Sequence, residues 1–181
     1  SWSLSDPLSI ELFNKVSSTG RKLEDYIETD ILWGIKTGLN AAFIIDKSTR
    51  DGILSDDPDS EKFIFPLMKG GDAMRYLADF KNRYLIRIPS GWTKETSGMN
   101  SEESAWEWFE SEYPGVANYL SDFQQDASSR YDRGECWWEL RPCDYYEKFE
   151  REKIVYPEIS DGPQFSLDLA GRYTNNKCFI I

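Results

Sequence analysis

Histidine is absent from this chain of 181 residues, and that absence removes more chemistry than any other feature. Without imidazole there is no side chain that titrates near neutral pH unaided, no Ser–His or Cys–His nucleophile pair, and none of the commonest zinc ligand. Cysteine is scarce: Cys136, Cys143 and Cys178 are the three. An odd count, with six residues between the first two, fits neither a disulfide framework nor a C-x-x-C zinc knuckle. Free thiols in a reducing cytoplasm are expected. No apolar run approaches the ~20 residues a bilayer demands. The first residues, Ser1-Trp2-Ser3-Leu4-Ser5, have neither the basic flank nor the apolar stretch of a secretory signal.

What is present argues for a folded domain. Seven Trp, ten Tyr and ten Phe are the large apolar groups that disordered chains lack. The length suits one domain with a core of its own, or a domain plus an appendage. The formal charge of −11 argues, taken whole, against nucleic acid, because phosphate is neutralised by Lys and Arg. The sign is unevenly spread. Between Glu95 and Ser129 stand eight acids (Glu95, Glu102, Glu103, Glu107, Glu110, Glu112, Asp122, Asp126) and no base. Between Lys62 and Lys94 stand seven bases (Lys62, Lys69, Arg75, Lys81, Arg83, Arg87, Lys94) against Asp72 and Asp79, a net +5. Such asymmetry lets one face carry a polarity opposite to the average.

The pattern reads as α+β. Ser5-Asp6-Pro7 supplies a helix cap with Pro in the first turn, Leu8, Leu12, Phe13 and Val16 share a face, and Gly20 closes it. Ile31 to Ile35 and Leu39 to Ile45 read as two short strands around a turn marked by Gly34 and Gly38. Asp56 to Ser60 is a turn opening a short helix that Pro66 ends, and Tyr84 to Ile88 is a strand. Asn100 with Glu103 is a capping-box variant ahead of Ala105, Trp108 and Phe109; Pro114 restarts a helix carrying Val116, Leu120 and Phe123. Strands follow at Trp137 to Leu140, Lys153 to Tyr156, Phe165 to Leu169 and Lys177 to Ile181. Paired helices among short strands, without regular βα alternation, give the class. The last apolar strand and the missing initiator Met read as a piece of a larger polypeptide, with residues 1–30 a helical lead-in and 31–181 the domain proper, truncated at its C-terminus.

Candidate chemistry is sparse. Pro58-Asp59 and Asp79-Phe80-Lys81 mimic the PD-(D/E)xK nuclease signature, in which acids hold a metal and a Lys orients water. A motif this short recurs by chance and needs its strand context. Lys69-Gly70-Gly71-Asp72 is a conceivable phosphate nest or a plain turn; neither G-x-x-x-x-G-K-[ST] nor G-x-G-x-x-G occurs. Trp137-Trp138 could stack on bases, although adjacent residues of a strand face opposite ways, so at least one belongs to the core. The acidic helices around Trp106 and Trp108 read as a solvent face or one covered by another domain. No Asn-Pro-Pro-Tyr tetrapeptide and no cofactor loop occurs. The residues describe a recognition or interaction module without catalytic or metal-binding residues of its own.

Several blocks, in order, resemble the TaqI-like C-terminal specificity domain. This is the target recognition domain of adenine-N6 DNA methyltransferases and of fused type II restriction-modification enzymes. The blocks are Gly34-Ile35-Lys36-Thr37-Gly38-Leu39-Asn40-Ala41-Ala42-Phe43-Ile44-Ile45-Asp46, then Phe65-Pro66-Leu67-Met68-Lys69-Gly70-Gly71-Asp72 with Arg75-Tyr76. Tyr113-Pro114 with Tyr119-Leu120 follows, then Arg130 with Trp137-Trp138-Glu139-Leu140-Arg141. Lys153 to Ile159 and Phe165 with Asp168 complete a set spanning about residues 30 to 170. The resemblance implies a double-β-helix-like core of short strands with added helices. It implies docking on duplex DNA beside a separate methyltransferase domain of a bacterial restriction-modification enzyme. The parent would move a methyl group from S-adenosylmethionine to adenine N6, and some members also carry a nuclease. No cofactor is implied for these residues themselves, and no membrane.

On that reading Thr37-Gly38-Leu39-Asn40 is a tight turn bringing Lys36 and Asn40 near the duplex. Lys69, Arg75, Arg130, Arg133 and Arg141 contact phosphate or a guanine edge, and Asn40 suits adenine. Structural roles compete: Arg141 pairing Glu139 or Asp144, Lys153 capping a strand end. Two other classes stay open, a metal-dependent nuclease using Asp59, Asp79 and Lys81, and a protein-interaction module docking through its acidic helices.

Overall fold

The structure is a computed structural model, and it describes residues 6–27 and 30–181. The chain divides into two compact units, residues 1–31 with 181, and residues 32–180. In the first, α1 (Pro7–Thr19) starts where Asp6 accepts the backbone N–H groups of Leu8 and Ser9 at 2.9 and 3.2 Å. Gly20 ends it by donating to the Val16 carbonyl. Cap, Pro and terminal Gly stand where the sequence predicts them. No side chain of α1 is buried.

The larger unit is α+β. Its elements in order are β1 (Leu32–Trp33), α2 (Asn40–Phe43), β2 (Ile44–Asp46), α3 (Lys47–Asp56), β3 (Ile64–Met68), β4 (Ala73–Met74), β5 (Leu77–Ala78) and β6 (Arg83–Ile86). Then come α4 (Trp92–Ser97), α5 (Glu102–Glu112), α6 (Pro114–Ser121), α7 (Gln124–Ser129) and α8 (Tyr146–Phe149). The chain returns to strands with β7 (Lys153–Pro157), β8 (Ser166–Asp168), β9 (Tyr173–Thr174) and β10 (Cys178–Ile180). One sheet runs β1-β10-β7-β8, all antiparallel. A second runs β2-β6-β3-β9, with β3 and β9 parallel, and β4 and β5 form a ribbon.

The segment after β1 stitches the sheets together. Gly34 donates to Cys178 of the first sheet, and Ile35 donates to Thr174 of the second at 2.6 Å. Gly34 passes so close to the Asn175 backbone that a Cβ there would lie 2.0 Å from its carbonyl oxygen, so no larger residue fits. Strand alternation is clearest in β7 and β8. Lys153, Val155, Ser166 and Asp168 turn inward, while Ile154 and Leu167 face solvent. Because Lys153 stands opposite Asp168 in the register, the buried pair meets across the strands at 2.7 Å.

Four sequence expectations change. Leu39 to Phe43 is not strand: Asn40 opens a helical turn, and β2 begins only at Ile44. Pro66 ends no helix but lies within β3, after a 3-10 turn at Pro58–Phe63. Its missing N–H is tolerated because β9 pairs with β3 only from Leu67 onward. Ser101, not Asn100, caps α5 by accepting from the Ser104 N–H. Trp137 to Leu140 is a turn, so both Trp137 and Trp138 are buried, whereas a strand would have turned one away. They pack with Trp106 and Phe109, and Trp92, Trp108 and Tyr113 continue the cluster around Phe63. Trp106 and Trp108 are therefore half-buried core partners of an otherwise acidic face.

Candidate nucleic-acid interface

Two concavities of the larger unit share a border. One, of about 490 Å³, is lined by Trp33, Lys36, Arg141, Cys143, Tyr145, Tyr146, Asn176 and Lys177 among others. The other, of about 660 Å³, is lined by Lys69, Gly70, Gly71, Met74, Gln164 and Lys177 among others. Lys177 and Glu158 line both, and pair with each other at 3.0 Å. Cations from four separated stretches of sequence thus gather along one continuous depression. No residue between 95 and 129, the acidic stretch, lines either part.

The turn before α2 has the tight form the sequence predicts. Gly38 takes a φ of +71°, and the buried Thr37 hydroxyl donates to Asn40 Oδ1 at 2.8 Å. Asn40 is exposed, so its side-chain NH2 group stays available. Lys36 and Arg141, each 51% exposed, share the Asp132 carboxylate at 2.8 and 3.4 Å. Asp132, not Glu139 or Asp144, is therefore the partner of Arg141. Arg133 faces Glu102 at 3.7 Å. Lys69 and Arg75 have no ion-pair partner among the described residues.

Arg75 and Tyr76 form the tip of the β4–β5 ribbon. Tyr76 holds a positive φ of 64° while largely exposed, and the Arg75 guanidinium lies 5.1 Å from its ring centroid. A bulky residue adopts that backbone only against a strain of about 1–2 kcal/mol. The tip is tied down by Gln164, which accepts the Arg75 N–H at 2.7 Å, and by the Phe165 carbonyl, which accepts that of Tyr76.

Two residues expected at the duplex turn inward: Thr37, buried with its hydroxyl spent on Asn40, and Arg130. Arg130 is only 8% exposed and spends its guanidinium on the carbonyls of Thr37, Trp137 and Glu139, stacked 4.1 Å from the Phe43 ring centroid. Burial, reinforced by Arg133, draws it down to about 10, so it remains charged at neutral pH. It holds the Thr37 turn and the Trp137 turn in register. The Lys69-Gly70-Gly71-Asp72 loop is no open phosphate nest either. The buried Asp72 carboxylate accepts the Lys69 N–H at 2.6 Å and pairs with Arg83.

Sequence reasoning singled out neither the scaffold role of Glu139 nor the place of Lys177 on the lining. The Glu139 carboxylate is fully buried and accepts the N–H groups of Gly91, Thr93 and Cys136. Nothing in their local spacing announces that convergence. The nuclease triad lies on separate elements: Asp59 in the 3-10 turn before β3, Asp79 and Lys81 in the β5–β6 connection, paired at 2.5 Å. Among the described residues no group of three or more His, Cys, Asp or Glu could hold a metal ion, and no helix is long and apolar enough to cross a membrane.

No family model matches the chain, and no curated protein matches it. Among solved structures it is similar to the Type IIL restriction-modification enzyme MmeI in complex with DNA. The identity is 14%, the TM-score 0.46, and the match covers 84% of this chain. This chain spans 19% of the length of that one.

Proposed function

We propose that the chain is a sequence-specific duplex-DNA recognition domain, serving a methyltransferase domain of the same polypeptide rather than catalysing by itself. The observation that carries this reading is convergence. The blocks that resemble specificity domains, at Lys36 to Asn40, Lys69, Arg141 and Pro157 to Ile159, are remote in sequence. Of the first block Lys36 lines the double depression, with Asn40 four positions on, and the other three blocks line it directly. Lys36, Lys69, Arg75, Arg141 and Lys177 hold phosphates, and Asn40 offers its amide to an adenine edge.

In the bacterial parent, this domain holds the duplex while a target adenine leaves the stack for the partner domain, where S-adenosylmethionine supplies the methyl group to N6. The parent carries a nuclease in some arrangements of such enzymes. The chain's own contribution is register and orientation, because phosphate contacts position and base contacts specify.

The test is selection of random duplexes by this chain at low salt, followed by sequencing of the retained fraction. A recurrent short motif is expected, and it should be lost when Lys36 and Arg141 are both changed to Glu. Retention with no motif, or a motif untouched by those changes, overturns the proposal.

A further inference from the structure

The smaller depression has a composition that phosphate gripping alone does not use. Trp33, Tyr145 and Tyr146 line it, and Trp33 is 61% exposed. The hydroxyls of both tyrosines are already engaged: Tyr145 donates to the Trp33 carbonyl at 3.2 Å and Tyr146 to the Arg141 carbonyl at 3.4 Å. Those bonds fix the rings. The half-buried Asn176 lines the same space, and its carboxamide makes no hydrogen bond among the described residues. Lys36 and Arg141 stand on the lining too.

Asp144 and the Lys177–Glu158 pair complete the lining at its polar edge. An aromatic wall, a free carboxamide and the two cations Lys36 and Arg141 are the complement of one nucleotide. The base has a π-face to stack, its edge donates and accepts, and its phosphate is anionic. The volume, about 490 Å³, lies within the 300–1,000 Å³ typical of small-ligand pockets. Asp132, which does not line the depression, neutralises both cations from outside it. A phosphate arriving there competes with that carboxylate for the same two partners.

We infer that this depression binds a single unstacked nucleotide of a nucleic-acid strand, with Lys36 and Arg141 passing from Asp132 to its phosphate. The inference deepens the duplex-recognition reading by giving the domain a seat for a base displaced from the stack. It neither needs nor supplies a catalytic group.

The whole chain is titrated with a 5′-deoxymononucleotide, a short single-stranded oligodeoxynucleotide, inorganic phosphate and a duplex, following tryptophan fluorescence and alkylation of Cys143. Cys143 is the cysteine that lines the depression; Cys136 and Cys178 are buried. The mononucleotide and the oligonucleotide should quench fluorescence and protect Cys143, with phosphate at least tenfold weaker. Trp33→Leu, at an exposed site, should keep the fold by circular dichroism and weaken both nucleotide probes about tenfold. Asp132→Asn should tighten them severalfold, and Asp132→Ser serves if the amide misfolds. Phosphate binding as well as nucleotide, or affinity indifferent to Trp33, overturns the inference. So does a mononucleotide that binds where the strand does not. If the duplex is bound sequence-specifically while neither single-stranded probe binds, this inference fails and duplex recognition stands.

Discussion

Asp168 shows how much of a residue's role lies in its partners. Buried in the first sheet, it accepts from Lys153 at 2.7 Å, from Arg172 at 2.8 Å, and from the backbone N–H groups of Arg172 and Ala170. Burial pushes its pKa up, but the hydrogen bond from Lys153 and the backbone donors outweigh that, so the carboxyl stays below its usual range. Its folded pKa is depressed, so its stabilisation is present above the unfolded value of about 3.9 and is lost as pH falls through the folded one. Urea midpoints should therefore drop on acidification below about pH 4, and this part of the drop should vanish in Asp168→Asn. At neutral pH that variant, leaving Lys153 buried without its anion, should cost about 3–5 kcal/mol. A matching acid response in both proteins would place the effect elsewhere. The thiols make a second case. Burial raises Cys136 and Cys178 to about 12 and Cys143 less far. Native protein at pH 8 should react slowly with a disulfide reagent at Cys136 and Cys178, faster at the half-buried Cys143, and quickly at all three once unfolded. The scarcity of cysteine was legible in sequence; the partner of Lys153, fifteen positions away, was not, because no local spacing announces a cross-strand neighbour.

At the scale of elements, legibility follows how local the cause is. Helices α1 and α6 were readable because cap, Pro and apolar spacing lie within a dozen residues of one another. Helix α6 then gains distant support, with its Gly115 and Val116 N–H groups received by Asp57 and Ser60. The Trp137 to Leu140 turn was misread because its residues favour strand. Arg130 and Glu102 impose the turn from outside, the first on the Trp137 and Glu139 carbonyls, the second on the Trp137 N–H, while Glu139 folds back from within it onto the Cys136 N–H. The same holds for Gly34, whose role depends on Asn175. Gly34→Ala should prevent the two sheets from closing together and lower the thermal midpoint by far more than Gly71→Ala, where an added Cβ meets nothing. The ribbon tip makes opposite predictions for stability and function. Tyr76→Gly removes the left-handed strain and should raise stability by about 1 kcal/mol. Duplex affinity should fall, since Arg75 loses the ring that orients it. Affinity and stability rising together would separate the tip from the interface.

For the whole molecule the proposed function raises the question of how a chain of net charge −11 would hold a polyanion. Four cations line the double depression and Arg75 follows Met74 of that lining, yet the five do not count equally. Lys36 and Arg141 share one carboxylate, Lys177 is matched by Glu158, and only Lys69 and Arg75 stand unpaired among the described residues. A cation already neutralised by its own protein displaces fewer counterions from DNA, so the effective count is nearer three than five. The logarithm of the affinity should then fall with the logarithm of salt at a slope of about −3, shallow for a sequence reader. Asp132→Asn frees one charge and should steepen that slope by about one; Arg75→Ala should flatten it by about one. The acids of α5 to α7 act differently, because none of them lines the depression. Changing Glu103, Glu107 and Glu110 to Gln should raise affinity at low salt through the long-range field and leave both the slope and the selected sequence unchanged. Anisotropy titrations of a fluorescent duplex at a series of salt concentrations measure all three effects. If the Gln variant alters the slope as Asp132→Asn does, the acidic helices themselves touch the duplex, and the interface drawn around Lys177 is the wrong one.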